Sequence, residues 1–294
     1  MGIWKYIYGV LFLTLVVTWS FVLQTPSNNL KIIACDVGQG DAILIIYKDV
    51  QILTDGGPSK KVLECLSKYI PLYDHDLELV ILTHPDADHS TGLVDVIKRY
   101  NVGTILANPI DPGTEVYRAL ENVVGSRQVE VLNPYEGMSI RVGLIYLDIL
   151  NPNTELTEGL KEKIGDSKIG IYKPVAKTND YSIVYRLTFE NFRGLFTGDI
   201  GTDISDRLAI ENKIGKVNYI KIPHHGSRNG LTENLLKVIE PNAAVISVGS
   251  KNRYGHPTPE ILEMLNRYGI KILRTDEMGD VVVETDGSTV NLQN

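Results

Sequence analysis

Two histidines and two aspartates lie within seven residues, in the segment THPDADH at 83–89. The segment follows the apolar run DLELVIL, which predicts a strand. Pro85 prevents a regular helix here, because proline lacks the amide donor and its ring clashes with the preceding turn. In an extended segment, side chains two residues apart point to the same side, so His84, Asp86 and Asp88 can converge. His89 follows where the chain turns into an amphipathic helix pattern.

The structural alternative for this segment is a capped helix start. In that case Asp88 or Ser90 accepts hydrogen bonds from the free amides of the first turn. A cap explains one residue of the four, and buried charged groups are rarely left unpaired. We therefore interpret the segment as a group of candidate metal ligands.

Four further polar clusters stand beside predicted strands, where loops can converge. They are Asp199 in GLFTGD, His224 and His225 in KIPHHGS, Asp180 in TNDYS, and His256 in SVGSKNRYGHP. Each has an ordinary alternative alone: a turn aspartate, a structural histidine or a helix cap. Five of the six histidines nevertheless fall in three such loops, which disfavours independent structural explanations.

Imidazole and carboxylate groups without thiolates suit zinc or a harder divalent ion such as manganese. The candidate metal ligands are His84, Asp86, Asp88, His89, Asp180, Asp199 and His225. This set is large enough for two divalent metal ions, Zn²⁺ or Mn²⁺. Two ions roughly 3.5 to 4 Å apart can hold a hydroxide as nucleophile and stabilise a leaving oxygen.

The composition is that of an ordinary globular protein: 294 residues, 43% hydrophobic and 22% charged, with a net charge of −7. The acidic balance does not favour a broad polyanion-binding face. Residues 151–178 are polar and predict a long loop joining two halves of one domain, which we assign to residues 31–294. The two cysteines, Cys35 and Cys65, predict neither a disulfide framework nor a thiolate metal site.

The start of the chain indicates membrane targeting. Residues 7–23 carry no charge, and a bilayer span needs about 17 to 25 residues. We assign residues 1–23 to a signal peptide or membrane anchor and residues 24–30 to a linker; a buried core helix is the alternative. Lys5 favours an N-terminus on the cytoplasmic side of the membrane. The protein is therefore expected to be secreted or membrane-anchored, with the domain of residues 31–294 outside the cytoplasm.

Strand patterns alternate with helix patterns along the rest of the chain. Hairpin-like strand pairs stand at both ends, as in LKIIACDV with DAILIIY and in KILRT with VVVETDG. This order predicts an α/β fold of two mixed sheets packed together with helices outside.

The motifs together resemble a known family. THPDADH resembles the signature of the metallo-β-lactamase fold, whose usual form has a histidine where Asp86 stands. With CDVGQGDA, LTDGG, TGD, KIPHHGS and NRYGHP in that order, residues 31–290 closely resemble the extracellular hydrolase domain of the DNA-uptake channel protein ComEC. The resemblance implies a four-layer αββα sandwich with a dinuclear site at one edge.

The resemblance also implies a ligand set: His84 and Asp86 for one metal, Asp88, His89 and His225 for the other, and Asp199 as the bridge. The family's usual histidine before the GD aspartate is missing, and Asp180 is the nearby candidate to replace it. The membrane-spanning region of the channel protein is absent, so DNA transport does not carry over.

The candidate catalytic residues are Asp88, His224 and His256, the two histidines orienting substrate or protonating a leaving oxygen. Arg228, Lys251 and Arg253 lie in the same loops and are candidate substrate-binding residues; solvated surface charge is the alternative for each. Asp36, Gln39 and Asp41 either shape the edge of the site or form a structural turn.

Three functions remain open from the sequence, because function depends on the site and not on the fold. The first is an extracytoplasmic metal-dependent phosphodiesterase or nuclease acting on an anionic phosphodiester such as DNA, with a membrane contact if the first segment is retained. The second is a carbonyl hydrolase, such as a lactonase or a β-lactamase-like enzyme. The third is a non-catalytic module that binds DNA or a cell-wall polymer. Asp86 and the basic loops favour the phosphodiesterase.

Overall fold

The computed structural model describes residues 2–23, 28–153, 156, 169–174 and 176–293. Most of the predicted linker and most of the predicted middle loop lie outside these residues. The described strands are β1 Leu30–Ala34, β2 Ile43–Tyr47, β3 Val50–Thr54, β4 Asp76–Leu82, β5 Asn101–Ala107, β6 Glu130–Leu132, β7 Ser139–Val142, β8 Ile145–Asn151, β9 Val184–Phe189, β10 Phe192–Phe196, β11 Tyr219–Lys221, β12 Ala243–Ile246, β13 Lys271–Arg274, β14 Val281–Thr285 and β15 Val290–Gln293.

The described residues also form eight α-helices. They are α1 Ile3–Leu23, α2 Val62–Tyr69, α3 Ala87–Arg99, α4 Glu115–Arg127, α5 Thr202–Glu211, α6 Glu233–Ile239, α7 Pro259–Arg267 and α8 Thr275–Met278, with 3-10 turns at Thr178–Tyr181 and Pro223–Gly226. The strands form two sheets, ordered β15-β14-β1-β2-β3-β4-β5-β6 and β13-β12-β11-β10-β9-β8-β7. In each sheet an antiparallel half continues into a parallel half, so the predicted α/β fold of two mixed sheets is confirmed.

Three apolar clusters separate the layers of the fold. One lies between the sheets and includes Ile45 of β2 and Leu187 of β9. A second lies between the first sheet and α2, α3 and α4, and a third between the second sheet and α5, α6 and α7. Strand β2 shows why the strands are apolar throughout: Ile43 and Ile45 enter the cluster between the sheets, while Leu44 enters the helix-side cluster. Strands buried on both faces have near-continuous apolar sequences.

Helix α4 and strand β15 were not among the sequence predictions. Helix α4 has a recognisable signal, because the hydroxyl of Thr114 accepts from the amide of Tyr117 at 3.3 Å and caps the helix. Its buried residues Tyr117, Leu120 and Val124 follow the helical period. The prediction passed from β5 directly to β6 and missed this pattern.

The two cysteines form a disulfide, which the sequence analysis did not predict. Cys35 follows β1 and Cys65 lies on α2, with their Cα atoms 5.9 Å apart. The 30-residue separation gives no hint of the pairing. It arises because α2 packs against the end of β1, and both cysteines are buried in the same apolar cluster.

Helix α1 is formed as the apolar run predicts. Its described apolar side chains, from Ile3 to Trp19, are solvent-exposed. Within the part of the chain that the structure describes, no helix is long and apolar enough to cross a membrane. The assignment of residues 1–23 to a signal peptide or anchor stays a prediction.

Candidate metal centre

The candidate site lies where the parallel strands of both sheets end. Asp55 follows β3 and His84 follows β4, and these two strands are parallel neighbours. In the other sheet, Asp199 follows β10 and His225 follows β11, again a parallel pair. The carboxyl ends of parallel strands meet at one edge of a sheet, where the crevice for a ligand forms.

Four side chains converge at this edge, and we call them the metal cluster: Asp88, His89, Asp199 and His225. One ligand atom from each lies within 4.8 Å of all the others. The Nε2 atom of His225 is 3.3 Å from Oδ2 of Asp88 and 3.3 Å from Oδ2 of Asp199. The Nε2 atom of His89 is 3.4 Å from the same oxygen of Asp199.

The metal cluster has the properties of a divalent-ion site. Three of its atoms are buried and have no hydrogen-bond partner among the residues that the structure describes: Nε2 of His89, Nε2 of His225 and Oδ1 of Asp199. Leaving such atoms unsatisfied costs free energy, which coordination to an ion removes. The donor set of two imidazoles and two carboxylates suits zinc or manganese. Asp88 is 37% exposed, so the cluster is accessible to solvent on that side.

The histidine tautomers are set by their Nδ1 contacts. Nδ1 of His89 lies 2.8 Å from Oδ2 of Asp55, and Nδ1 of His225 lies 3.0 Å from the carbonyl oxygen of Ser247. Both partners are acceptors, so both Nδ1 atoms carry the proton and both Nε2 atoms are left for a metal. Such contacts to carboxylates and carbonyls orient metal-binding histidines.

The backbone at His224 and His225 is left-handed, with φ values of 52° and 53°. This conformation is uncommon for residues other than glycine and costs roughly 1–2 kcal/mol per residue. The turn directs the buried ring of His225 to the metal cluster, while His224 is half-buried and lines the neighbouring cavity. Strain of this kind is concentrated at functional sites.

A buried lysine lies beside the metal cluster. The ammonium of Lys221 contacts Oδ2 of Asp41 and lies 3.7 Å from Oδ1 of Asp199. Burial alone would raise the pKa of Asp41, but the charges of Lys221, His225 and His89 outweigh burial and hold that pKa below its usual range. Lys221 and Asp41 thus form a buried ion pair against the second oxygen of Asp199.

The charges in the metal cluster are strongly coupled. Burial alone would lower the pKa of His89 and His225, but Asp199 and the carboxylates at their Nδ1 sides raise both well above the usual value. Without an ion, these imidazoles therefore hold protons against the carboxylates. A metal must displace those protons, because it binds neutral imidazole.

The predicted ligands His84 and Asp86 are not members of the metal cluster, although the ring of His84 lies 4.1 Å, centroid to centroid, from the ring of His89. Nε2 of His84 is 3.7 Å from Oδ2 of Asp86, and we call these two residues the His84–Asp86 pair. His84 is buried, whereas Asp86 is 39% exposed. In the described chain, neither belongs to a group of three or more potential ligands. Their assignment to a metal stays a prediction.

Asp180 lies in the 3-10 turn Thr178–Tyr181 and outside the metal cluster. It lines a cavity of about 690 Å³ together with Asp199 and His224. Its role as a ligand stays a prediction.

The cap alternative for the 83–89 segment receives no support, because α3 begins without a side-chain cap bond and the hydroxyl of Ser90 donates to the carbonyl of Pro85.

The predicted catalytic histidines lie beside each other, and the predicted substrate-binding cations lie on the loops that carry them. The rings of His224 and His256 touch, with centroids 5.8 Å apart, and burial lowers the pKa of both, which favours their neutral forms. Arg228, Lys251 and Arg253 are exposed on the loops that carry these histidines. Their roles stay predictions.

Three residues that the sequence did not assign to the site contact or neighbour the metal cluster: Asp41, Asp55 and Lys221. Asp55 and Lys221 were not selected, and Asp41 was left between a site role and a turn role. Asp41, Asp55 and His89 form a second group of potential ligands. We assign this group to the support of the metal cluster, because Nδ1 of His89 donates to Asp55 and Lys221 neutralises Asp41. The signal for Asp55 was its position directly after β3, in LTDGG.

The sequence model of the metallo-beta-lactamase superfamily matches residues 35–250. The chain belongs to this superfamily. The metal cluster and strands β2 to β12 lie inside that match.

Curated relatives place the chain near competence proteins. Recombination protein 2 of Haemophilus influenzae is 27% identical over 283 residues, which are 94% of this chain and 31% of that protein. Competence protein ComA of Neisseria gonorrhoeae is 26% identical over 267 residues, which are 86% of this chain and 32% of that protein. The resemblance to ComEC-type proteins is confirmed at low identity, and the chain spans about a third of these two relatives.

Solved structures agree on the fold. YhfI of Bacillus subtilis, a metallo-beta-lactamase fold protein, aligns with a TM-score of 0.56 and 13% identity over 87% of this chain and 99% of that chain. CmlA, a diiron β-hydroxylase from Streptomyces venezuelae, aligns with a TM-score of 0.53 and 14% identity over 88% of this chain and 54% of that chain. At these identities the likeness shows the fold alone.

Proposed function

We propose that this metallo-beta-lactamase superfamily hydrolase is a metal-dependent phosphodiesterase that works outside the cytoplasm. The observation that carries the proposal is the metal cluster, in which the Nε2 atoms of His89 and His225 are buried and have no hydrogen-bond partner among the described residues. When bound, divalent ions supply an activated water as nucleophile and Lewis-acid stabilisation of the leaving oxygen.

The protein's own residues hold and neutralise the reacting groups. His89 and His225 keep Nε2 directed into the site because their Nδ1 atoms are engaged. Lys221 lies near one oxygen of Asp199, which leaves Oδ2 facing both histidines. His224 borders the cavity beside Asp199, where its ring can hydrogen-bond a substrate oxygen. A cavity of about 690 Å³ is within the usual range for small-molecule sites.

The cations on the loops that carry the histidines favour an anionic substrate. Arg228, Lys251 and Arg253 are exposed on loops that also carry ligand or cavity histidines. The rest of the chain is acidic, with a net charge of −7. Cations gathered at the opening of a site in an acidic protein steer anions to it. A phosphodiester carries the required charge, whereas a lactone or a neutral ester does not.

The location outside the cytoplasm is supported by two features. The Cys35–Cys65 disulfide belongs to an oxidising compartment, since cytosolic thiols are kept reduced. Helix α1 presents uncharged apolar residues to solvent, as an export segment would.

The direct test uses the full chain, purified in a mild detergent and reconstituted with Mn²⁺ or Zn²⁺. The substrates are bis(p-nitrophenyl) phosphate, a single-stranded oligonucleotide, a lactone and a cephalosporin. We expect cleavage of the two phosphodiesters, its loss on chelation and its recovery with added metal. His75→Ala serves as the control, because His75 is exposed and lies outside the site.

Efficient opening of the lactone or the β-lactam with both phosphodiesters left intact would replace the proposal with a carbonyl hydrolase. A chain that binds no divalent ion would exclude metal-dependent catalysis altogether.

A further inference from the structure

The loop between β12 and α7 holds an aromatic side chain in solvent. Tyr254 is 72% exposed, more than any other aromatic residue described outside α1; the next is Tyr73 at 61%. Single exposed apolar residues are common and need no explanation. Tyr254 differs because its loop is ordered around it and because the loop leads to the metal centre.

The side chain of Asn252 fixes this loop. Its amide group donates to the carbonyl oxygens of Gly249 at 2.9 Å and His256 at 2.8 Å. Its oxygen accepts from the backbone amides of Tyr254 at 3.2 Å and His256 at 3.1 Å. One side chain thus uses both of its donors and its acceptor to close the loop. Tyr254 is therefore held outward before any ligand arrives, which lowers the entropy cost of binding.

A row of aromatic rings connects Tyr254 to the metal cluster. The ring of Tyr254 stacks on His256 with centroids 5.9 Å apart and planes at 25°. His256 meets His224 edge-on at 5.8 Å, and His224 lies beside His225 with centroids 6.3 Å apart. His225 belongs to the metal cluster. Tyr254 is thus the exposed outer end of a row of rings that ends at the metal cluster.

Cationic side chains flank the exposed ring. Lys251 and Arg253 belong to the same loop, and Arg228 belongs to the neighbouring loop after His225. All three are exposed, and within the described residues the structure gives them no salt bridge. An aromatic ring that stacks a base, beside cations that follow the backbone, is the pattern of single-stranded nucleic acid binding.

We propose that Tyr254 is a base-stacking platform that selects single-stranded nucleic acid and guides its backbone to the metal cluster. The inference rests on the proposed phosphodiesterase function and adds a specificity-determining residue to it. A phosphodiester polymer without bases could use the cations but would gain nothing from the ring.

Binding is measured with the full chain and a chelator present, so that cleavage does not interfere. The probes are fluorescently labelled single-stranded oligonucleotides of one length, as DNA, as RNA, and as DNA with abasic positions throughout its central part. We expect Tyr254→Ala to weaken binding of the DNA or the RNA about tenfold or more, by loss of stacking. Tyr254→Phe should bind nearly as the wild type does, because phenylalanine keeps the stacking face.

The matched controls separate stacking from damage to the loop. Tyr73→Ala, which removes another exposed tyrosine, should leave binding unchanged. On the abasic oligonucleotide, Tyr254→Ala should have no effect, because the ring has no base to stack on. The inference is overturned if Tyr254→Ala leaves the affinity for DNA and RNA unchanged, or if it weakens the abasic probe equally.

A second measurement keeps this inference separate from the proposed function. Tyr254→Ala should raise KM for the oligonucleotide by a larger factor than KM for bis(p-nitrophenyl) phosphate, which carries no base. If the wild type cleaves no phosphodiester, the proposed function fails, yet the binding experiment still decides whether Tyr254 stacks bases. A KM for the oligonucleotide that stays at the wild-type value would contradict the inference alone.

Discussion

The metal cluster and the His84–Asp86 pair stand at the same edge of the fold and differ in how completely they are built. In the cluster, four ligands converge and two histidines have their Nδ1 atoms engaged by an aspartate or a carbonyl. In the pair, two side chains face each other and Asp86 is partly in solvent. His84 alone has a fixed orientation there, since its Nδ1 contacts the hydroxyl of Thr83 at 3.1 Å.

This difference indicates that two ions would be held with unequal strength. The number and the orientation of ligands set metal affinity, and support by neighbouring hydrogen bonds adds to it. We therefore expect the metal cluster to take the first equivalent of metal. The second ion of the predicted dinuclear centre would depend on the His84–Asp86 pair and on Asp199 as a bridge.

The largest effect is expected from Asp199→Asn. Asparagine keeps the size of the side chain but removes the charge that faces both cluster histidines. Because metal-ion stabilisation is worth several kcal/mol, the phosphodiesterase rate should fall by about a thousandfold or more. Titration calorimetry should also show that neither equivalent of metal binds tightly. Unchanged binding of the first ion would show that the cluster is not where metal binds; Asp203→Asn, in the same cavity lining, is the matched control.

Lys221→Met should have the next largest effect, a decrease in the free energy of unfolding. It leaves Asp41 as a buried charge without its lysine partner, and breaking a buried ion pair typically costs about 3–5 kcal/mol. It also removes a positive charge near Asp199, so an added metal should recover more stability than it does in the wild type. Thermal unfolding with a chelator and with Mn²⁺ measures both effects. Lys216→Met, which breaks an exposed pair, is the control; an equal change in both variants would contradict the expectation.

Loss of the disulfide should lower stability without removing the metal. A native disulfide contributes about 2–4 kcal/mol, which corresponds to roughly 5–10 °C in Tm for a domain of this size. Cys35→Ser should show that loss in thermal unfolding while metal stoichiometry stays unchanged. On reduction, the Tm of the wild type should fall by the same amount, whereas the Tm of Cys35→Ser should not change with the reductant. Equal responses of the two proteins to reductant would argue against the bond.

The smallest effect is expected at the His84–Asp86 pair. Asp86→His should tighten binding of the second zinc about tenfold, close to 1.4 kcal/mol, because imidazole is a softer donor than carboxylate. Asp86→Ala should weaken that second ion and leave the first in place. Competition titrations with a zinc indicator separate the two affinities. If Asp86→Ala removed the first ion, the comparison between the cluster and the pair would be wrong.

Much of the fold could be predicted because both faces of the sheets are buried. Strand β2, ILIIY, is apolar along its whole length, and β4, DLELVIL, is apolar over its last four residues before the polar segment at the edge of the site. The order of strands and helices therefore predicted two mixed sheets. Helix α4 was missed although the sequence contains its signals: the capping residue Thr114 and apolar residues at helical spacing.

The site was harder to predict where partners meet across long distances. The segment 83–89 and the KIPHHGS and TGD motifs are visible as polar residues after apolar runs. Lys221 lies inside the apolar run YIKIP, so the sequence pattern does not mark it as a site residue. Its role follows from its contact with Asp41, which precedes a strand of the other sheet. The Cys35–Cys65 bond is of the same kind, because only the packing of α2 brings the two sulfurs together.

The left-handed turn at His224 and His225 limits how this site can change by mutation. Asparagine, aspartate and glycine accept that backbone readily, while β-branched residues do not. His224 can therefore be exchanged for asparagine with the turn intact, whereas valine or isoleucine would disturb the neighbouring ligand through the backbone. We therefore expect the substitutions tolerated at His224 to come from a small set of residues, whereas the exposed positions Lys251 and Arg253 have no such backbone constraint.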